Sequence, residues 1–242
     1  MTTNVYDGNA GVVATDSRWT YANLRNETYG LLYGVTGYVD NTGFNKIAVN
    51  KNHVFAFAGA ADLIGLWKKY VMHSSLLPIP RVGKGFSLCW INKTNMNIFF
   101  EHGQNKNVST EYHKFAGTGA EAAHKCWSKN GDAKRAVSSA ILEDPCSGGE
   151  VKFVDLKNKN SNLAETPEVD NIATEFLKKG LIMQTGAYIP VKEAIKDDPM
   201  AQEFVRRIKD GSIQAQAPNG YDVEWTDGDI QRLHAALKQH LN

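Results

Sequence analysis

The order in which strand and helix patterns follow one another is the feature that most narrows what this chain can fold into. Residues 3–6 and 12–15 read as short strands joined by the turn-rich Asp7-Gly8-Asn9-Ala10-Gly11, a hairpin at the start of the sequence. A second pair, 46–49 and 53–58, flanks Asn50-Lys51-Asn52, and a third, 86–91 and 96–101, flanks Asn92-Lys93-Thr94-Asn95. Between the second and third pairs, residues 60–72 place Leu63, Leu66, Trp67 and Tyr70 on one helical face. A strand at 113–116 precedes a helix that carries Ala122, Ala123 and Trp127 and runs to 128. A second helix at 133–143, capped by Asp132, repeats Ala136, Val137, Ala140 and Ile141 and ends against Asp144-Pro145. Gly148-Gly149 then opens a strand at 151–156. This order is neither alternating βαβ nor all-β. It predicts an α+β fold of two stacked antiparallel sheets with helices outside.

Past residue 157 the character changes, with the polar run Asn158-Lys159-Asn160-Ser161-Asn162 and helical segments near 169–179 and 200–209. A clearer last helix at 229–241, capped by Thr226 or Asp227, carries the stripe Ile230, Leu233, Leu237 and Leu241. No repeat or long linker interrupts the chain, so residues 1–165 are expected to form the core and 166–242 a helical extension packed on it or on a neighbouring subunit.

Composition excludes some partners. Lys plus Arg total 27 against 26 for Asp plus Glu, so no net field favours nucleic acid or an anionic membrane. No apolar run approaches the roughly 20 residues that span a bilayer, and no basic-then-apolar leader is present, which predicts a soluble, cytoplasmic chain. Cys89, Cys126 and Cys146 are irregularly spaced and read as reduced, structural thiols. The seven histidines lack metal-ligand spacing and Gly117-Thr118-Gly119 lacks a phosphate-loop context, so no metal, nucleotide or other cofactor is assigned.

Chemistry enters at Met1-Thr2-Thr3. A threonine hydroxyl needs a nearby base and a positive charge to become a nucleophile. An N-terminal threonine carries its own base, because a free α-amine has a pKa of about 7.7–8.0. Thr2 meets that condition only once Met1 is removed. Further along stand Asp16-Ser17-Arg18, Lys46-Ile47, Ala58-Gly59-Ala60-Ala61-Asp62 and Asp144-Pro145-Cys146-Ser147-Gly148-Gly149. Read singly, Asp16 is as well a turn cap, Lys46 a solvated strand start, Gly59 a turn glycine and Asp144-Pro145 a helix stop. Jointly they fit one chemistry: a Lys46 cation lowers the hydroxyl's pKa, Asp16 holds the lysine, and Gly59 offers an unpaired N–H at a strand end.

In these residues and in this order, over positions 2–156, the chain resembles the proteasome β-subunit family, as a bacterial or phage member. The resemblance implies the four-layer αββα sandwich of N-terminal-nucleophile hydrolases. It assigns Thr2 as nucleophile, Asp16 and Lys46 as its charge pair, Gly59 as oxyanion donor, and Asp144 with Ser147 as hydrogen-bond partners around the terminal amine. Arg18 matches a family arginine that supports the site or forms a structural ion pair. Threonine-type hydrolysis of peptide bonds, a ring-forming homo-oligomer, peptide or unfolded-protein substrates and a separate unfoldase chain are what it implies for function. The sequence departs from the family at Ala120, where a serine is frequent and Thr118 or a water must substitute, and at Asn4, where an apolar residue is usual. A retained Met1 would acylate the Thr2 nitrogen and remove the base. That state corresponds to a second expectation, a silent structural or assembly protein such as a phage-particle component. An amidase for a small non-peptide amide is a third.

Overall fold

The computed structural model describes residues 2–22, 34–74, 76–164, 168–184 and 186–241. The opening hairpin pairs β1 (Asn4–Asp7) with β2 (Val12–Thr15), Asn4 opposite Thr15 and Asp7 opposite Val12. Asp7 closes its turn: the carboxylate accepts from the N–H groups of Asn9 and Ala10, and the backbone carbonyl from that of Gly11. β3 (Trp19–Ala22), β4 (Thr36–Val39), β5 (Ile47–Val49) and β6 (His53–Ala60) follow, and β6 runs directly into α1 (Ala61–Met72). Then come β7 (Ser87–Asn92), β8 (Ile98–His102), β9 (His113–Ala116), α2 (Ala120–Asn130), α3 (Ala133–Glu143), β10 (Lys152–Asp155) and β11 (Asn160–Ser161). The last third holds α4 (Asn171–Lys179), β12 (Leu181–Gln184), β13 (Ala187–Pro190), α5 (Val191–Asp197), α6 (Pro199–Lys209), β14 (Gln216–Ala217) and α7 (Asp227–His240).

The strands form a five-stranded sheet, ordered β11-β10-β2-β1-β9, and a nine-stranded sheet, ordered β13-β12-β4-β3-β14-β6-β7-β8 with β5 beside β6. The period-two alternation of each strand decides what each face meets. From the first hairpin, Val5, Val12 and Ala14 join Ala120, Ala123, Ala136, Val137 and Ala140 of α2 and α3. Tyr6 and Val13 turn the other way and meet Ile47, Val54, Ala56, Cys89 and Ile91, so the two sheets pack face to face. The intervening residues of β6, Phe55 and Phe57, lie on the opposite face, under Ile64 and Trp67 of α1 and in one cluster with Phe176, Phe204, Leu233 and Leu237. The molecule is thus a mixed α+β protein with two antiparallel sheets and, among the described residues, seven helices, none long and apolar enough to cross a membrane.

The extension after residue 165 differs from the helical expectation. Its three predicted helices are present, and α7 starts on a capping box between Thr226 and Asp229. It also supplies strands to the nine-stranded sheet: β12 pairs with β4, β13 with β12, and the two-residue β14 sits between β3 and β6. Such pairings are made with partners far back in the chain, and a two-residue strand leaves no periodicity to read.

Candidate active site

The register of the first hairpin builds the site. Carried one step past Asn4 and Thr15, it sets Thr3 opposite Asp16, and the Asp16 N–H donates to the Thr3 carbonyl at 3.2 Å. On the other side of β1, Asn4 lies opposite Ala116, so the chain leaves β9 beside Thr2 and Thr3. Lys46 immediately precedes β5 and accepts a backbone hydrogen bond from Phe57 of β6 at 2.9 Å. Asn4 ties these pieces together. Its amide donates to the Phe57 carbonyl at 2.8 Å and accepts from the Thr15 hydroxyl at 2.7 Å. Both ends of this buried side chain are paired, which is why a polar residue is tolerated where an apolar one was expected.

Thr2, Asp16 and Lys46 meet in a closed triangle. Lys46 Nζ donates to Thr2 Oγ1 at 2.7 Å and to Asp16 Oδ1 at 2.9 Å, and Thr2 Oγ1 donates to Asp16 Oδ1 at 2.7 Å. All three are buried, with Lys46 only 1% exposed. The Thr3 N–H adds a further bond to Asp16 Oδ1 at 2.8 Å, while Oδ2 accepts from the N–H groups of Arg18 and Gly148. Five donors thus converge on a wholly buried carboxylate. Burial pulls the Lys46 ammonium below its usual pKa, with the charge and hydrogen bond of Asp16 pulling upward against it. A hydroxyl flanked in this way, by a cation on one lone pair and a carboxylate on its proton, is polarised toward the alkoxide.

A second chain of hydroxyls runs behind the triangle. Thr118 Oγ1 donates to Asp144 Oδ2 at 2.6 Å, and Ser147 Oγ donates to the same oxygen at 2.8 Å. Because the Ser147 proton is committed, its 2.7 Å contact with Thr3 Oγ1 has threonine as donor. Thr118 is thus bound to Asp144, while the side chain of Ala120 is buried against α3. Arg18 holds the Asp144–Gly149 loop to the frame: it is bidentate to Asp40 at 2.8 Å and donates to the Pro145 carbonyl at 2.6 Å. Cys146 lies in that loop, but burial raises its thiol pKa, which leaves it protonated and a poor rival nucleophile.

The structure thus brings together Thr2, Asp16 and Lys46, joins Asp144 and Ser147 to Thr3, and places Arg18 on the loop that Asp144 begins. Gly59 differs from expectation. Among the described residues no hydrogen bond joins it to this cluster, and its backbone is paired in the sheet, opposite Ala217 of β14. Its N–H was expected to be free because it ends a strand, and the strand that covers it comes from far along the chain. Met1 lies outside the described residues. Asp40 and Thr3 also take part, Asp40 through Arg18 and Thr3 through Ser147, in roles that neither spacing nor periodicity marks.

Gly117 is the most sensitive backbone position here. Its φ is +91°, and a Cβ would lie 1.8 Å from the Thr2 carbonyl oxygen, a backbone atom with nowhere to go. Gly117→Ala is expected to cost about 1–3 kcal/mol in left-handed strain alone, and more from the collision. Urea unfolding checks this, and a loss below about 0.5 kcal/mol would mean that Thr2 is not held against this turn.

Compared with models of known protein families and with curated proteins, the sequence matches none.

Proposed function

We propose that this chain is an amide hydrolase of the N-terminal-nucleophile kind, similar to proteasome β subunits, in which removal of Met1 makes Thr2 both nucleophile and base. One observation carries the reading: the buried triangle of Thr2, Lys46 and Asp16, a costly arrangement that a threonine with only a packing role does not need. The packing of α2 and α3 on one sheet, and of α1 on the far side of the other, supports the four-layer αββα arrangement that the resemblance implies.

In the proposed reaction Thr2 Oγ1 attacks the carbonyl carbon of an amide and passes its proton to the Thr2 amine. Lys46, as a cation, stabilises the developing alkoxide charge. Collapse of the tetrahedral intermediate breaks the C–N bond, and the amine delivers the proton to the leaving nitrogen. Water, activated by the same amine, then cleaves the Thr2 ester and releases the acid. Asp144, through Ser147, fixes Thr3 and with it the position of the nucleophile. The substrate class is the peptide bond, and the likeness to ring-forming relatives extends the proposal to a homo-oligomer served by a separate unfoldase.

The test compares two preparations of the full chain, one beginning at Thr2 and one with Met1 retained. Hydrolysis of a small acyl substrate, acetyl-alanine 4-nitroanilide, is expected only from the first. Equal rates from both would show that a free Thr2 amine is not the base.

A further inference from the structure

The nine-stranded sheet has one joint that is not made by neighbouring parts of the chain. β3 and β6 flank the site: β3 begins just after Arg18, and β6 ends at Gly59 and Ala60. They do not pair with each other. Two residues of the tail, Gln216 and Ala217, fill the one-strand gap between them, with Gln216 opposite both Thr20 and Ala60 and Ala217 opposite Gly59. The Ala61 N–H donates to the Ala215 carbonyl at 2.9 Å, which is also the cap of α1, a helix with no side-chain cap. Since bonded pairs alternate in an antiparallel ladder, Gly59 and Ala217 are the next bonded pair, and the polar groups of Gln216 face Thr20.

The segment then crosses to the other side of the site. Gly220 rests against Thr118, where a Cβ would lie 2.1 Å from the threonine methyl, and Thr118 is bonded to Asp144. Ile213, Ala215, Ala217 and Asn219 are buried, while the turn at Gly211-Ser212 before them is exposed. An extended chain with small alternate side chains, paired through its backbone on both sides, is how a sheet receives a peptide strand. Here the backbone positions that any strand entering between β3 and β6 would pair with, Thr20, Gly59 and Ala61, are already taken. The peptide bond after Ala217 is a tertiary amide to Pro218, with a ring on the nitrogen that would have to leave.

We infer that residues 213–219 are an autoinhibitory strand: they fill the slot for an extended peptide between β3 and β6, and an outside peptide reaches Thr2 only when they leave it. This rests on the amide-hydrolase reading of the same site. A protein that hid its site in this way would cut peptides only after a partner or a neighbouring copy drew the tail out.

The test uses the full chain with Met1 removed and two reagents, a small β-lactone that needs no strand pairing and a tripeptide epoxyketone that does. Gln216→Pro removes the N–H that faces Thr20 and weakens the inserted strand. It is expected to speed epoxyketone labelling of Thr2 by about tenfold or more, since apparent affinity scales with the fraction of open slots. The β-lactone rate should not change. A protease site placed in the Gly211-Ser212 turn and cut after folding is a second opening that does not depend on the variant folding, and it should act in the same direction. One epoxyketone rate for parent, variant and nicked protein would overturn the inference. Self-cleavage that releases residues 218–242 would overturn it too, because the segment would then be a substrate. Absence of any β-lactone adduct would remove the hydrolase reading itself, and this inference with it.

Discussion

Replacing Lys46 with methionine is expected to lower the free energy of unfolding by about 3–5 kcal/mol, the cost of leaving a buried charge without its partner. Methionine approximates the volume of the lysine stem, so packing against Trp19, whose ring lies 5.6 Å from Nζ, is largely kept. What is lost is the ammonium that serves Thr2 Oγ1 and Asp16 Oδ1 together. Asp16 remains, wholly buried, with its charge held only by Thr2 and three backbone N–H groups. Asp16→Asn alone should also destabilise, by stranding the lysine. The double variant should cost less than the two single costs added together, since neither charge is then unpaired. Urea unfolding of the four proteins measures this coupling. A loss of under about 1 kcal/mol for Lys46→Met, the range of solvated surface pairs, would mean that water reaches the pair.

Thr2→Val in the Met1-free protein should abolish hydrolysis, by at least about 10³-fold, the scale of losing a nucleophile that acts as one unit with its base. Valine keeps the shape of the side chain and its place in the core, so the fold should survive with a modest loss from the missing hydroxyl bonds. Thr2→Ser restores an oxygen at the same carbon and should retain measurable activity. Initial rates on acetyl-alanine 4-nitroanilide decide between these cases. Activity of Thr2→Val within about tenfold of the parent would assign the chemistry elsewhere, since general acid–base help alone is worth about 10²–10⁴.

How much of this was legible in advance varies with the range of the interactions. The hairpins β1–β2, β5–β6 and β7–β8 each join neighbouring segments across short runs of turn residues, and those turns are plain in the sequence. Helices α1 and α3 were marked by their apolar faces, and α7 by its cap at Thr226. Thr2, Asp16 and Lys46 stand out through the resemblance of the ordered motifs, with a chemistry that fits together, and the hairpin register brings Thr2 and Asp16 side by side. β3 and β4 escape a reading of the sequence because residues 23–35 separate them, so no short turn marks them as a pair. The pairing of Ala217 with Gly59 was out of reach, because no local feature of Gln216-Ala217 distinguishes it from a loop. That missing contact is also the one that most alters the site, since it occupies the position from which an oxyanion donor was expected.

The most direct test of the account is to treat the Met1-free protein with a small β-lactone and locate the adduct by peptide mass spectrometry. A single ester on Thr2, absent from Thr2→Val and from protein that retains Met1, is the predicted result. An adduct on Thr3 or Cys146, or none at all while the protein remains folded, would contradict it.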